Sequence, residues 1–134
     1  MIRIYSAIIT VRDNYLYNPA TKKNEPVKTT DCLTIKRSKG NRIYFSLILV
    51  GANGHTCSMD GEAVFNGSLY QSVADKTDPD YPRDCTLKIR IKRNTIALED
   101  ADGGCKDTFC GVRAVIDGTE FGRRQKTLNE CEQF

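Results

Sequence analysis

The chain has 134 residues, 40% hydrophobic and 28% charged, with a formal net charge of +3. That is one domain's worth of chain, with enough apolar content for a core. The small charge, with basic residues scattered among acidic ones, argues against nucleic acid as a partner. The longest apolar run, Ile43 to Val50, is too short to insert in a bilayer as a helix.

Ile4–Val11 reads as a short strand. Residues 12–31 are polar and aperiodic and hold Pro19 and Pro26, so they read as an irregular arm. This divides the chain into an N-terminal strand and arm over 1–31 and a β-domain over 32–134. From Cys32 onward, short β-rich runs alternate with turn signals about every ten residues. The predicted strands are Cys32–Arg37, Arg42–Val50, Cys57–Phe65, Ser68–Val73, Cys85–Ile91, Thr95–Glu99, Cys110–Ile116 and Thr119–Arg124. Apolar and polar residues alternate most clearly over Ile43, Phe45, Leu47 and Leu49, and over Leu87, Ile89 and Ile91. Lys88, Arg90 and Lys92 then face water. Tight turns are signalled at Ser38–Asn41, Asn66-Gly67, Arg93-Asn94 and Asp117-Gly118. No segment has apolar residues at helical spacing. The expected fold is all-β, an antiparallel meander of about eight strands forming a small barrel or flattened sandwich, stapled by disulfides.

The staples come from six cysteines, at positions 32, 57, 85, 105, 110 and 131. None is spaced Cys-x-x-Cys, and His55 is the only histidine, so a disulfide framework is favoured over a metal site. Such a framework implies an oxidising compartment, periplasmic or secreted. The opening Met1-Ile2-Arg3-Ile4-Tyr5 has no apolar signal region, which is reconciled with export if the signal has been replaced by Met1. In a meander the tight turns share one end, while the long connections 51–56, 74–84 and 100–109 share the other. All six cysteines fall near the long-loop end, and the expected pairs are Cys57–Cys85, Cys105–Cys110 and Cys32–Cys131.

The segments Gly54-His55-Thr56-Cys57-Ser58, Cys85-Thr86-Leu87-Lys88-Ile89, Gly104-Cys105 and Asp117-Gly118 with Phe121 accompany a distinctive run, Phe109-Cys110-Gly111-Val112-Arg113-Ala114. In these, residues 31–126 resemble the small exported Gram-negative proteins grouped with lysozyme inhibitors of the LprI type. The resemblance implies an envelope protein on a small β-barrel that neutralises a wall-degrading enzyme. The Ser-Gly loop with which membrane-bound lysozyme inhibitors enter the lysozyme cleft has no counterpart here, nor has the arm.

The expected function is therefore a non-catalytic exported binding protein. It would block a cationic cell-wall hydrolase, either as a lysozyme inhibitor or as an immunity protein against a secreted toxin. The binding surface would be the long-loop end, with His55, Asp78, Asp80, Tyr81, Asp100 and Asp102. The acidic loops there would steer a cationic partner, opposite a basic end with Lys39, Arg42, Lys92 and Arg93. Tyr81 reads equally as an exposed anchor or as a plug over the barrel mouth. The alternative function is a lipocalin-like small-ligand carrier, which needs a cavity. An enzyme would need a nucleophile beside His55, such as Thr56 or Ser58, but no local catalytic signature accompanies it. Asp100-Ala101-Asp102-Gly103 offers oxygens for calcium without the EF-hand spacing, so no metal or cofactor is expected. By alternation Arg113 would share a buried face with Phe109 and take a carboxylate partner. The arm is open to a role as an exchanged strand in a dimer.

Overall fold

Residues 6–51, 54–72 and 84–122 are described by a computed structural model, with side chains from Asn14 onward. Eight strands follow one another in one antiparallel sheet whose spatial order is the chain order. They are β1 (Ser6–Asn18), β2 (Lys23–Arg37), β3 (Arg42–Val50), β4 (Thr56–Phe65), β5 (Tyr70–Gln71), β6 (Lys88–Ile91), β7 (Thr95–Glu99) and β8 (Glu120–Gly122). A short helix, α1 (Gly104–Phe109), lies between β7 and β8. The sheet curls into a half-barrel, bringing β1 and β8 within 8 Å Cα to Cα. The expected all-β meander is the fold.

Alternation of side chains produces the curl, because one face of every strand must leave water. On β3, Ile43, Phe45, Leu47 and Leu49 point inward and are at most 3% exposed. Leu33 and Ile35 of β2, Leu87 just before β6, Ile89 of β6, Ile96 and Leu98 of β7 and Phe121 of β8 complete the same core. Each such side chain stabilises the fold by about 1.5–3 kcal/mol relative to exposure. The inward set expected on the predicted strand Cys85–Ile91 holds for Leu87 and Ile89, while Ile91 is only partly buried.

Two of the outward basic residues are paired with carboxylates, Arg90 across to β7 and Lys92, in the β6–β7 turn, to β8. Arg90 Nε donates to Glu99 Oε2 at 2.7 Å, and Lys92 Nζ donates to Glu120 Oε1 at 3.2 Å. The hydrogen bond from Arg90 holds the Glu99 carboxyl below the usual 4.5, reinforced by the charges of Arg90, Lys88 and Lys92. Hydrogen bonds from Lys92 and Thr95 lower Glu120 in the same direction. A carboxyl depressed on folding adds stability above its unfolded value, and that stability is lost as pH falls through the folded value. Both glutamates should therefore titrate below 4.5 in a carboxyl NMR titration. The associated change in unfolding free energy should be small, because these pairs are solvent-screened.

Three expectations are corrected by the structure. First, residues 12–31 are not irregular: β1 and β2 pair without interruption from Ser6↔Ile35 to Asn18↔Lys23. Pro26 is tolerated inside this hairpin for a geometric reason. Ser38 N–H donates to Arg42 O at the β2–β3 turn, so even-numbered residues of β2 direct their main-chain groups away from β1. The N–H that Pro26 lacks would thus point away from β1, and its absence breaks no hairpin bond. Lys22, at φ 56°, supplies the left-handed residue that closes the turn.

Second, the segment Cys110–Ile116 is not a strand. After α1 the chain makes one bridge, Cys57↔Cys110, and then turns, with Ala114 N–H donating to Gly111 O at 3.1 Å. Strand alternation therefore does not apply, and Arg113 is exposed rather than buried.

Third, two disulfides join the four expected cysteines with partners exchanged: Cys57–Cys110 and Cys85–Cys105. Helix α1 is the reason. Five positions at about 100° per residue set Cys105 and Cys110 about 140° apart around the axis, so they cannot meet. Cys110 instead faces Cys57 across the antiparallel bridge, with 4.0 Å between Cα atoms. Cys32 is disulfide-bonded and buried, whereas Cys131, its expected partner, lies outside the described residues. The two described bridges point to an oxidising, extracellular or periplasmic compartment. Among the described residues no helix is long and apolar enough to cross a membrane.

Candidate partner-binding surface at the stapled end

The meander sets the β1–β2 turn at the same end as the β3–β4, β5–β6 and β7–β8 connections. The β2–β3 ladder stops at Cys32↔Ile48. Beyond it, residues 14–18 and 23–29 continue as a two-stranded arm, projecting about 20 Å past β3 at ~3.3 Å per residue. At the last residue of β3 two side chains reach the main chain. Val50 N–H donates to Asp31 Oδ1 at 2.8 Å, and Asn14 Nδ2 donates to Val50 O at 3.0 Å. Asp31 is 1% exposed, so the joint between arm and barrel is a buried polar lock.

Close backbone approaches weld the connections to one another. A Cβ at Gly51 would lie 2.5 Å from Arg113 O, and one at Gly111 would lie 2.8 Å from His55 Nδ1. The β3–β4 connection is thus pressed against the segment after α1, with the Cys57–Cys110 bridge beside the contact. On the other side of α1, a Cβ at Gly104 would meet Asp84 O at 2.0 Å, next to the Cys85–Cys105 bridge.

Carboxylates hold the helix itself. Asp100 is 2% exposed; its Oδ1 accepts Cys105 N–H at 3.0 Å and its Oδ2 accepts Lys106 N–H at 2.9 Å. Asp102 Oδ1 accepts Gly104 N–H at 3.0 Å, and Asp117 Oδ1 accepts Asp100 N–H at 2.8 Å. The bonds to Gly104, Cys105 and Lys106 satisfy helix donors that would otherwise be orphaned, while Asp117 holds the main chain of Asp100. Asp100→Ala leaves two N–H groups without their charged acceptor and is expected to cost about 3 kcal/mol. Urea denaturation measures this, and an unchanged midpoint would remove the capping role.

From the far side of α1, Lys106 Nζ donates to Val112 O at 2.9 Å and to Ala114 O at 2.7 Å, with Gly111 O at 3.5 Å. One ammonium therefore gathers three main-chain carbonyls of the loop after α1. The loop it organises presents Val112 at 83% exposure, Arg113, and Val115 at 55%.

The residues expected to form the binding surface divide between structural and surface positions. Asp100 is buried under α1, and Asp102 is exposed with one oxygen engaged. His55 is half-buried against Gly111, while Thr56 and Ser58 are exposed on β4. Asp78, Asp80 and Tyr81 lie outside the described residues. Lys39, Arg42, Lys92 and Arg93 are exposed near the tight turns, with Arg42 paired to Glu62 and Lys92 to Glu120. The long-loop end is mixed in sign: Asp84, Asp102 and Asp107 are exposed there, and so are Arg113 and the arm's Lys22 and Lys23. Among the described residues no group of three or more His, Cys, Asp or Glu is arranged to hold a metal ion.

Sequence reasoning missed Val112 and Val115 as surface residues, and it missed Tyr15 and Tyr17, which are 58% and 54% exposed on one face of the arm. The Asn14-Tyr15-Leu16-Tyr17-Asn18 run carried a strand signal in its aromatic alternation. Set beside known proteins, the chain matches no family model, no curated protein and no solved structure.

Proposed function

We propose that this is a non-catalytic binding protein of an oxidising compartment that blocks a cell-wall hydrolase with the loop after α1. The observation that carries this reading is the contrast between the loop's rigidity and its exposure. Val112 and Val115 stay in water although their main chain is fixed by the Cys57–Cys110 bridge, the Lys106 ammonium and the Gly51 contact. Exposed apolar side chains on a pre-ordered loop are what a binding surface needs, since little conformational entropy is lost on docking.

Between them stands Arg113, whose guanidinium matches a carboxylate fork. Glycoside hydrolases carry a pair of carboxylates in their cleft. Val112-Arg113 entering such a cleft would occupy the acid and base of the enzyme and exclude its substrate. The exposed Asp84, Asp102 and Asp107 alongside would favour a cationic hydrolase during approach. A ligand-carrier role is less well supported, because Phe45, Leu47, Leu87 and Ile89 fill the interior where cargo would sit.

The test is inhibition of a panel of lysozymes and other wall hydrolases by the oxidised protein, with and without about 0.5 M salt. Stoichiometric inhibition of one of them is expected, and Arg113→Glu should weaken it by at least about tenfold. Inhibition that is indifferent to Arg113→Glu and to Val112→Asp would remove the loop from the interface.

A further inference from the structure

We propose that the β1 edge of the arm, residues 14–18, is a self-association site that accepts the same segment of a second copy as an antiparallel strand. Among the described residues no further strand pairs with either edge of the arm, and the chemistry of the two edges differs. On the β2 side, residues 23–29 carry Lys23, Glu25, Pro26 and Lys28, and the N–H missing from Pro26 is missing from that edge. Charge and proline on an edge are what blocks strand addition. On the β1 side, Asn14-Tyr15-Leu16-Tyr17-Asn18 contains neither.

The hydrogen-bonding alternation makes this edge competent. Odd-numbered residues of β2 bond toward β1, and their register partners include Asn14, Leu16 and Asn18. Tyr15 and Tyr17 consequently direct their main-chain N–H and C=O outward. Among the described residues no strand pairs with that side of β1 over 14–18.

The occupant follows from self-complementarity. The five residues read the same in both directions, so a two-fold axis through Leu16 sets Tyr15 opposite Tyr17 of the second copy. Asn14 then meets Asn18, and no like charges oppose each other. Tyr15 and Tyr17 would exchange four main-chain hydrogen bonds across the axis. Their rings, already exposed on one face, would form two cross-strand aromatic pairs. Because the pairing is isologous it closes at two copies and does not propagate into a fibre. A contact this short buries less than the ~1,200 Å² of stable interfaces, which places the dimer in the weak class.

Sedimentation velocity on the oxidised full chain from about 10 μM to about 1 mM spans that affinity range. A reversible monomer–dimer equilibrium is expected. The double variant Tyr15→Lys/Tyr17→Lys, at exposed positions, sets lysine opposite lysine and should weaken it by about tenfold or more. Amide hydrogen exchange on the unaltered protein gives a second readout that does not depend on the variant folding. Exchange at Tyr15 and Tyr17 should slow as concentration rises, while Leu16, already bonded within the hairpin, stays constant. A monomer throughout the range would overturn the proposal. So would a dimer insensitive to the double variant, or one that leaves the Tyr15 and Tyr17 amides unprotected.

Discussion

Gly104→Ala is expected to lower the stability of the fold by about 3 kcal/mol or more, equivalent to about 10 °C in Tm for a chain of this size. The added Cβ would sit 2.0 Å from the carbonyl oxygen of Asp84. Both partners in that clash are effectively main chain, so no side chain can rotate to relieve it. Neither backbone can retreat easily either, because the next residue of each, Cys85 and Cys105, is joined to the other by a disulfide. The clash would have to be relieved by shifting α1, whose N-terminal donors are held by Asp100 and Asp102. Gly122→Ala is the matched control: nothing lies within 4 Å of its added Cβ. Thermal unfolding of the two variants compares them directly. A Gly104→Ala protein as stable as the Gly122→Ala protein would mean that the contact between Asp84 and α1 yields without cost.

What the sequence disclosed follows the physics of each element. The strands β3 and β4 were legible because one face is buried and the side-chain period of two writes that face into the chain. In the arm Leu16 and Val27 are only half-buried and Tyr15, Tyr17 and Pro26 are exposed, so burial imposes no apolar period there. Pro26 reads as a breaker unless the direction of its missing N–H is known, and that direction is a tertiary fact. Helix α1 has six residues, too few for a helical period to register, and its start is fixed by carboxylates that read equally well as surface charge. Missing the helix had a further consequence. Without it, Cys105 and Cys110 look like neighbours able to close a small loop, and the pairing of four cysteines is exchanged.

The candidate site was legible in the same uneven way. The Cys110–Ala114 segment was singled out by its residues, but its orientation was inferred from strand alternation that does not exist there. Arg113 consequently changed from a buried ion-pair member to an exposed residue. Asp100 made the opposite change, from surface charge to buried cap. Counting carboxylates in a loop cannot say which of them are already engaged by main-chain N–H groups.

The largest loss of stability is expected on removing the Cys57–Cys110 bridge. It closes a separation of 53 residues, against 20 for Cys85–Cys105. By loop-closure entropy the two contribute about 4 and about 3 kcal/mol. Cys57→Ala/Cys110→Ala should therefore lower Tm by about 14 °C, and Cys85→Ala/Cys105→Ala by about 11 °C. Both partners must be replaced together, since a single unpaired thiol among clustered cysteines invites exchange. The two variants should also differ in function. The Cys57–Cys110 bridge anchors the start of the Val112–Val115 loop to β4, and among the described residues the pairing Cys57↔Cys110 is the one β bridge that segment makes. Without the disulfide the loop keeps Lys106, the Gly51 contact and the Gly111 N–H bond to Thr56 O but loses its covalent tether to β4, so binding to the proposed partner would carry a larger ordering cost and weaken. Cys85–Cys105 lies on the other side of α1, and its removal should leave binding nearer to that of the unaltered protein at temperatures where both are folded. Measuring Tm by calorimetry and affinity well below Tm separates the two effects. Equal loss of affinity in both variants would mean that the whole end moves as one body, and that the Cys57–Cys110 tether has no separate part in holding the loop.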